Sequence, residues 1–505
     1  MAETLQLLGA GFGQIFNLTH MMYLFIGCFI GTIAGALPGL GATSGTSILL
    51  PLTFGMDPVS ALVMLSGIYY GTMFGGSISA ILLNIPGTSS AAITAIDGYE
   101  LAKQGKAGKA LGTATLSSFI GGITSTIALA FLGVMLSRYA LAFGAPEYFG
   151  MTLMGLALVT GLTGDYPLKG YLMLLVGLLL SCIGIDTIDG KQRFVFGAIY
   201  LMDGLNVVPV MVGLFGFSEI FFNLEKKYSN NEITARGKTK FKFREMWPTA
   251  PEWKRIAGPV ARGSIIGFFV GALPGAGATI STVLDYGIEK KICKHKDELG
   301  QGAIEGVAGP EASNNASTGG AMIPMLSLGI PGSATTAVML TAMTMYGMKP
   351  GPNLYTASAD IVWALIASMF VGNLVLVILN LVGVPFFATI VQKADKVLLP
   401  LVGVLCFIGA YSVNGSIFEV WVMFVAGVVG YVLRKLDYPM LPLVLGLILG
   451  YTTENSMRQG LILSAGEWSI FFTRPLACLF MIITIAIIII PIILKFIKKK
   501  KVVEQ

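Results

Sequence analysis

The sequence is poor in charge. Asp, Glu, Lys and Arg make up 12% of its 505 residues, whereas a soluble domain has about 25%. Between Thr4 and Ile96 the only charged side chain is Asp57. Four further stretches carry no charge at all: 110–137, 263–284, 312–348 and 476–494. Because a membrane-spanning helix needs about 20 mostly apolar residues, these runs predict an all-α polytopic membrane protein with about ten to fourteen spans.

Other scarcities argue against whole classes of function. The two histidines, His20 and His295, lie far apart in the sequence, which argues against a His-based metal site. The five cysteines have no CxxC spacing and are interpreted as small buried apolar residues. No GxSG or HExxH motif supports an intramembrane enzyme, so we assign no catalytic residues. The glycine runs lack the Lys of a phosphate-binding loop, and the first residues lack the basic segment of a cleavable signal peptide.

The basic residues are concentrated in two places. Residues 225–262 hold ten Lys and Arg against four Glu, and the C-terminal KFIKKKK adds five Lys. By the positive-inside rule both segments should be cytoplasmic, so the net charge of +6 reflects membrane topology and does not require nucleic acid. We therefore expect a first transmembrane half at 1–223, a basic cytoplasmic linker at 224–255, a second transmembrane half at 256–496 and a cytoplasmic tail at 497–505.

One nonapeptide occurs twice. GALPGLGAT begins at Gly35 and returns 236 residues later as GALPGAGAT, which begins at Gly271. Each copy is followed by a glycine pair and then by an IPG tripeptide with Ser and Thr after it. Four Lys follow the second nonapeptide and none follow the first, whereas three Lys follow the first IPG and one follows the second. The matched loops should therefore lie on opposite sides of the membrane, which indicates two inverted-topology repeats.

The Pro and Gly residues of these motifs should interrupt helices. Pro lacks an amide hydrogen and Gly weakens a helix, and broken backbone is tolerated at membrane depth only where it is buried in protein or lines a wet cavity. Ser and Thr after each break could cap a new half-helix, whose amide groups and positive end attract anions. We therefore predict four breaks around one substrate site. The predicted substrate-binding residues are Pro38, Gly39, Gly41, Thr43, Ser44, Asn84, Pro86, Gly87, Thr88, Pro274, Gly275, Gly277, Thr279, Asn314, Asn315, Pro331, Gly332 and Ser333.

An anion at this site would need positive charge that the motifs do not supply. A helix N-terminus contributes only about 0.3–1 kcal/mol, so a co-bound cation is expected, and Na⁺ would suit the backbone and hydroxyl oxygens near Gly41, Thr43, Gly277 and Thr279. Two alternatives stay open. Small residues also allow close helix packing, and the three Asn could make interhelical hydrogen bonds.

Several charged residues lie away from the motifs. Two acidic residues near the apolar run 312–348 are alternative proton or ion sites: Glu305 and Glu311. One group is expected to form a short solvated loop: Asp186, Asp189, Lys191 and Arg193. Another group is expected in an external or re-entrant break before the last span: Glu454, Arg458, Glu467 and Arg474.

The motifs together resemble a known family. GTIAGALPGLGATSGTSILLP, YYGTMFGGSISAILLNIPGT, PEASNNASTGG and LGIPGSATTAVML are similar to the large, TctA-type membrane subunit of tripartite tricarboxylate transporters. The resemblance runs from about Leu24 to Glu467. It implies an elevator-type secondary transporter of the bacterial inner membrane, a homodimer in common with other elevator transporters, that imports citrate or related di- and tricarboxylates. The implied partners are a periplasmic TctC-type binding protein and a small TctB-type membrane subunit, with co-transported Na⁺ or H⁺ and no other cofactor.

Two rival classes remain to be weighed against a transporter. The segment EASNNASTGG begins like the cytoplasmic loop of an ABC-type permease, but it runs directly into a charge-free span. An anion channel would not need helix breaks that close around a bound anion, and it would not show counterflow.

Overall fold

The computed structural model describes residues 2–37, 40–140, 143–161, 167–186, 188–228, 243–275, 277–387 and 398–503. These residues are mainly helical, which confirms the predicted all-α class. Their only strands are β1 (Gly184–Ile185) and β2 (Gln192–Arg193), which pair antiparallel in a loop.

The described residues of the first half form ten α-helices. In order they are α1 (Ala2–Ile15), α2 (Leu18–Ala36), α3 (Gly41–Leu49), α4 (Pro58–Leu83), α5 (Ala91–Lys103), α6 (Ala107–Ala140), α7 (Ala145–Gly161), α8 (Pro167–Ser181), α9 (Val207–Met211) and α10 (Ser218–Tyr228). A 3₁₀ turn, Leu50–Thr53, follows α3, and a π-helical turn, Val212–Phe217, joins α9 to α10.

The second half contains eleven described helices. They are α11 (Ala250–Gly271), α12 (Gly277–Ile292), α13 (Glu305–Leu328), α14 (Ala334–Met345), α15 (Leu354–Ala357), α16 (Ala359–Val382), α17 (Leu398–Asn414), α18 (Ile417–Lys435), α19 (Met440–Leu463), α20 (Ile470–Thr473) and α21 (Pro475–Val503). Most of the predicted linker, residues 229–242, lies outside the described residues, so the repeat boundaries stay predictions.

Among the described residues, length and composition identify five helices able to cross a membrane. They are Leu18–Ala36, Pro58–Leu83, Ala107–Tyr139, Ala359–Val382 and Ile417–Lys435. Five further apolar helices have 10–17 residues, which is short of the usual spanning length of about 20. The chain is therefore a membrane protein by these criteria, and the number of crossings stays a prediction.

The chain divides into two compact units. The larger unit comprises Met1–Ser137 and Val208–Tyr431, and the smaller comprises Arg138–Val207 and Val432–Gln505. All four predicted breaks fall in the larger unit. There α2, α4, α11 and α13 each end where the Pro-Gly motif begins, and α3, α5, α12 and α14 begin just after it. The four predicted helix breaks are therefore confirmed.

Rows of glycine let the long helices of the larger unit touch backbone to backbone. Gly27, Gly31 and Gly35 of α2 lie against the backbone of Met64, Ile68 and Thr72 of α4. The same arrangement recurs in the second half. There α11 corresponds to α2 at an offset of 236 residues, and α13 corresponds to α4 at an offset of 245 residues. There the glycines Gly263, Gly267 and Gly271 lie against Gly309, Ser313 and Ser317. The two halves thus share a packing register residue by residue.

The ends of α4 and α13 also match at the 245-residue offset. Asn84 follows α4 in the left-handed region at φ 58°, and Gly329 follows α13 at φ 72°. The Asn84 amide donates to the carbonyls of Ala80 and Ser79, and the Gly329 amide donates to the equivalent carbonyls of Met325 and Pro324. A Gly and an Asn are the residues that adopt this conformation most readily.

The smaller unit contains an ion-pair network that corrects two sequence predictions. Glu454 and Arg458 lie within α19, not in a break, because the helix continues unbroken from Met440 to Leu463. Asp186 is only 9% exposed, so it is not part of a solvated loop. Its carboxylate accepts from Arg458 Nη1 at 2.6 Å and pairs with Arg193, whose Nη1 also donates to Glu454 at 2.8 Å.

We expect Gly31→Ala to destabilise the larger unit. A Cβ at Gly31 would lie 2.5 Å from the Ile68 carbonyl oxygen, and overpacking of this kind costs about 1–3 kcal/mol. The matched control is Gly287→Ala in α12, where a Cβ would have no heavy atom within 4 Å and the helix should gain about 1 kcal/mol. Thermal unfolding in detergent measures both. An unchanged Gly31→Ala midpoint would contradict the backbone contact.

We also expect Asp186→Asn to lower stability in a pH-dependent way. Hydrogen bonds from the Ile188 amide and then from the Arg458 guanidinium hold the pKa of Asp186 below its ordinary value. Because the pKa of Asp186 is lower in the folded state, its carboxylate stabilises the fold at pH values above the ordinary Asp pKa of about 3.9. This stabilisation is lost as the pH falls through the folded-state pKa.

The unfolding midpoints of wild type and Asp186→Asn should therefore differ at pH 7 and converge in acid. Asp189→Asn is the control. Asp189 is 49% exposed and pairs with Arg458 at 3.0 Å, so its loss should matter less. A difference that persists unchanged below the ordinary Asp pKa would refute the pKa argument.

Candidate substrate site at the helix breaks

The first break is followed by α3, and a threonine of α3 contacts a threonine of the second half. Pro38 and Gly39 lie outside the described residues, and Gly41 begins α3 in the left-handed region at φ 59°. Thr43, in the first turn of α3, places its Oγ1 3.1 Å from Thr335 Oγ1 of α14. Ser44 is half-buried on the same helix.

The IPG break of the second half carries a complete helix cap. Pro331 and Gly332 are buried. Ser333 is the N-cap of α14, and its Oγ accepts from the Thr336 amide at 3.2 Å while Thr336 Oγ1 accepts from the Ser333 amide at 2.8 Å. Tyr69 of α4 brings its hydroxyl to 3.5 Å from Ser333 Oγ. Hydroxyls of α3, α4 and α14 therefore meet here.

The IPG break of the first half is held by backbone contacts. The Gly87 amide donates to the Gly76 carbonyl at 3.4 Å, and Gly87 lies so close to the Gly35 carbonyl that a Cβ would overlap it. Beyond Pro86, which is half-buried, Thr88 Oγ1 lies 3.1 Å from Ser90 Oγ. This break thus packs directly on the first nonapeptide.

The first break of the second half follows the same plan. Pro274 is buried, and the Gly275 amide donates to the Gly332 carbonyl at 3.1 Å. Gly277 begins α12 at φ 59°, the same value as Gly41. Thr279 is exposed. In both halves, therefore, the IPG glycine contacts the preceding nonapeptide.

Asn314 connects the second half to the first. It is fully buried on α13, and its Nδ2 donates to the Met73 carbonyl of α4 at 3.5 Å. The Met73 sulfur in turn accepts from Ser90 Oγ at 3.9 Å. Tyr69 and Met73 are four residues apart on α4 and so lie on one face. That face joins the hydroxyls around Ser333 to those around Ser90.

Two of the predicted Asn lie elsewhere. Asn315 donates to the carbonyl of Glu311 in its own helix at 3.1 Å. Asn84 is exposed, and its described role is the left-handed end of α4. The structure does not bring either side chain to the hydroxyl groups described above.

Hydroxyl capping is confirmed only at Ser333. The N-cap of α3 is Leu40, and the N-cap of α5 is Ser90, with no side-chain capping bond at either. The physical reason is that the hydroxyls have other partners, since Thr43 contacts Thr335 and Ser90 contacts Thr88. For α12, the preceding Ala276 lies outside the described residues.

Three residues that make the contacts described above were not among the predicted substrate-binding residues. Tyr69, Met73 and Thr335 were not predicted, although all three lie in the quoted motifs. Tyr69 occupies the position in α4 that Asn314 occupies in α13 at the 245-residue offset, so an alignment of the two halves could have identified it. Neither 4–96 nor 312–348 contains Lys or Arg, so hydroxyls, amides and helix ends supply the polarity of the site.

One group among the described residues has the composition of a metal site. Cys293, His295 and Glu305 place potential ligand atoms within 4.8 Å of one another. Glu305, however, already accepts from Arg255 Nε at 2.7 Å and Nη2 at 2.8 Å, and His295 Nδ1 lies 2.9 Å from it. Because a guanidinium bonds to both carboxylate oxygens, the arrangement is an ion pair, and a proton or ion site at Glu305 stays a prediction.

The fold and the site define a polytopic α-helical membrane protein with paired broken helices in two matching halves. The chain belongs to the tripartite tricarboxylate transporter TctA family, whose model matches residues 21–445. This confirms the resemblance stated above. No solved structure matches the chain.

Two relatives come from Agrobacterium vitis. One is described as "Uncharacterized 52.8 kDa protein in TAR-I ttuC' 3'region" and is 41% identical over 493 residues, which cover 98% of this chain and 97% of the relative. The other, "Uncharacterized protein in TAR-II ttuC' 3'region", is 39% identical over 211 residues, which cover 42% of this chain and 87% of the relative.

A disulfide should form between Cys introduced at Thr43 and Thr335. Their hydroxyl oxygens lie 3.1 Å apart, so the two side chains face one another closely enough for a small backbone shift to close a disulfide. Mass spectrometry of the oxidised, digested protein should detect the linked peptides. The control pair, Thr279→Cys with Thr335→Cys, starts from an exposed Thr279 and should not link. Equal linkage in both pairs would rule out the specific contact.

Proposed function

We propose that the chain is the large permease subunit of a binding-protein-dependent secondary transporter coupled to Na⁺ or H⁺. Its substrates are tricarboxylates such as citrate, or related dicarboxylates. Family membership supports the class of transporter. The observation that carries the proposal is the contact of Thr43 with Thr335, because it joins a broken helix of one half to a broken helix of the other.

The polar groups around Thr43, Ser333 and Asn314 suit a carboxylate. Hydroxyl groups and helix amides donate hydrogen bonds to anions. Asn314 Oδ1, which is buried without a hydrogen-bond partner in the described part of the chain, is an acceptor and suits a co-bound cation. A substrate with two or three negative charges needs more positive charge than helix ends provide. A co-bound cation would supply it, so the absence of Lys and Arg favours symport over simple anion binding.

The packing supports inverted repeats and alternating access. Helix α3 of the first half packs against α14 of the second, and α12 of the second packs against α5 of the first. Reciprocal contacts of this kind are what a two-fold relation between the halves produces. Together with the opposite lysine distribution, they support inverted topology. An elevator-type motion and a homodimer are further parts of the proposal that rest on the resemblance.

The proposed partners follow from the tripartite family. A soluble periplasmic TctC-type protein would deliver the carboxylate, and a small TctB-type membrane subunit would complete the permease in the bacterial inner membrane. The linker at 224–255 and the tail at 497–505 would face the cytoplasm because of their Lys and Arg.

Uptake of labelled citrate into liposomes tests the proposal. The liposomes contain this chain with its small subunit, and the binding protein is added outside, with and without an inward cation gradient. We expect uptake that needs the binding protein and the gradient but no ATP, and counterflow when unlabelled citrate is loaded inside. ATP dependence would indicate an ABC-type importer, and uptake without counterflow would indicate an anion channel.

Thr43→Val adds a test of the site in the same liposomes. The variant removes one hydroxyl partner, so uptake should fall about two- to tenfold, as expected for loss of one hydrogen bond. The control is Thr124→Val, because Thr124 is exposed on α6 and bonds only its own helix at Ile120. If both variants transport like wild type, the proposed site is in the wrong place.

A further inference from the structure

Glu311 is a completely buried carboxyl group with no cation beside it. It lies on α13 and is 0% exposed. Thr94 Oγ1 of α5 donates to its Oε1 at 2.5 Å, and Ser118 Oγ of α6 donates to its Oε2 at 2.9 Å. Within the described ranges, neither Lys, Arg nor His forms an ion pair with it. The carboxyl group therefore depends on two neutral hydroxyls.

Glu305 on the same helix shows the usual solution for a buried acid. Arg255 binds both of its oxygens, as expected because an unpaired buried charge is costly. A buried group that lacks such a partner becomes neutral instead. For Glu311 the neutral state requires uptake of a proton.

The equivalent position in the first half shows that helix packing does not require a carboxyl group here. At the 245-residue offset Glu311 corresponds to Ser66 of α4. Ser66 Oγ donates to the Val63 carbonyl at 2.8 Å and lies 3.2 Å from Ser368 Oγ. The two helices keep the same glycine contacts with either residue, so the acid is an addition to the shared scaffold.

A small polar cavity lies beside Glu311. It has a volume of about 10 Å³ and is lined in part by Ser77, Ser118 and Asn380, which is room for about one water molecule. Ser77 Oγ and Asn380 Oδ1 have no hydrogen-bond partner in the structure as described. A water there could bond to both of them and to Ser118, the hydroxyl that donates to Glu311.

The protonated acid would also find an acceptor. Ser77 and Asn314 lie close enough to the Glu311 carboxyl group to interact with it, although their atoms are not in hydrogen-bond geometry. Asn314 Oδ1 is an unused acceptor three residues along the same helix face.

We propose that Glu311 binds and releases the coupling proton of this transporter; this inference rests on the function proposed above. The carboxylate takes one proton from water on one side of the membrane and becomes neutral. It returns that proton to water on the other side. A Na⁺ ion would need a space surrounded by several oxygen atoms, whereas a proton needs no such space. Both Glu311 oxygens already accept hydrogen bonds from hydroxyl groups, so this position suits a proton better than Na⁺.

Other titratable groups on the helices packed against α13 have to be separated from Glu311. The buried acids are Asp97 on α5 and Asp285 and Glu289 on α12, and the arginines beside them are Arg255 and Arg262 on α11. The buried tyrosines are Tyr69 and Tyr70 on α4, Tyr286 on α12 and Tyr355 on α15. Asp97 accepts the amides of Gly300, Gly302 and Ala303 and the Tyr286 hydroxyl. Glu289 pairs with Arg262 at 2.5 Å.

Asp285 is the strongest rival for the proton. It is 1% exposed, and both of its carboxylate oxygens lack a hydrogen-bond partner among the described residues. It lies against Gly309 of α13, and no hydroxyl donates to it. Asp285→Asn is therefore a matched control, since it removes another buried carboxyl group from the same helix cluster.

Infrared difference spectroscopy tests the protonation of Glu311 without any assumption about the substrate. The intact complex in lipid is titrated with pH, and the carbonyl stretch of protonated carboxyl groups is followed. Glu311→Gln should remove one titrating component that Asp285→Asn and Glu100→Gln leave in place. Glu100 is a surface residue paired with Lys103. A spectrum of Glu311→Gln that titrates like wild type overturns the inference.

Transport separates this inference from the proposed function. With labelled citrate, wild type should accumulate substrate under an inward proton gradient, and an internal pH dye should report acidification. Glu311→Gln should lose both responses but keep binding-protein-dependent counterflow, and Glu311→Asp should restore them in part. Wild-type accumulation driven by Na⁺ alone, with Glu311→Gln unaffected, overturns the proton role while the transporter stands. No counterflow in wild type refutes the proposed function, and the infrared result then decides the protonation alone.

Discussion

Buried backbone at four interrupted helices is the constraint on which the rest of the structure depends. An amide or carbonyl left bare at membrane depth is costly, and here the two breaks of each half satisfy one another or pack together. The Gly87 amide bonds Gly76 beside the Gly35 carbonyl, and the Gly275 amide bonds the Gly332 carbonyl. Glycine is required at position 87, because a Cβ there would overlap the Gly35 carbonyl.

The two halves share a backbone plan but not their side chains. Glycine rows hold α2 to α4 and α11 to α13 at one register, and a left-handed residue ends both α4 and α13. Tyr69 of α4 is equivalent in position to Asn314 of α13, and Ser66 of α4 is equivalent to Glu311 of α13. The two halves therefore present similar broken helices with different polar residues, which suits the proposed binding of one asymmetric ligand.

Much of this arrangement could be predicted from the sequence because it depends on backbone chemistry. Pro and Gly next to apolar runs located all four breaks, and the repeated motif related the halves. The caps were harder to predict. Ser and Thr after a break can bond their own helix or reach across, and Thr43 reaches Thr335, which is distant in sequence. Charge was harder still, because Glu305 and Glu311 are neighbours on one helix and only the fold shows that Arg255 binds the first. The unbroken α19 was missed because its charged residues suggested a loop.

The two residue offsets between the halves also record where the chain has tolerated a change of length. Equivalent residues are 236 apart through α11 and the start of α12, and 245 apart from α13 onward. The nine additional residues therefore fall in α12 and the connection after it, where 277–304 replaces the shorter path 41–59. An insertion within α2, α4, α11 or α13 would have displaced a glycine from its facing backbone. Over the stretches that match, 27–87 and 263–332, the difference in length is confined to this one connection, and engineered tags or labels belong there too.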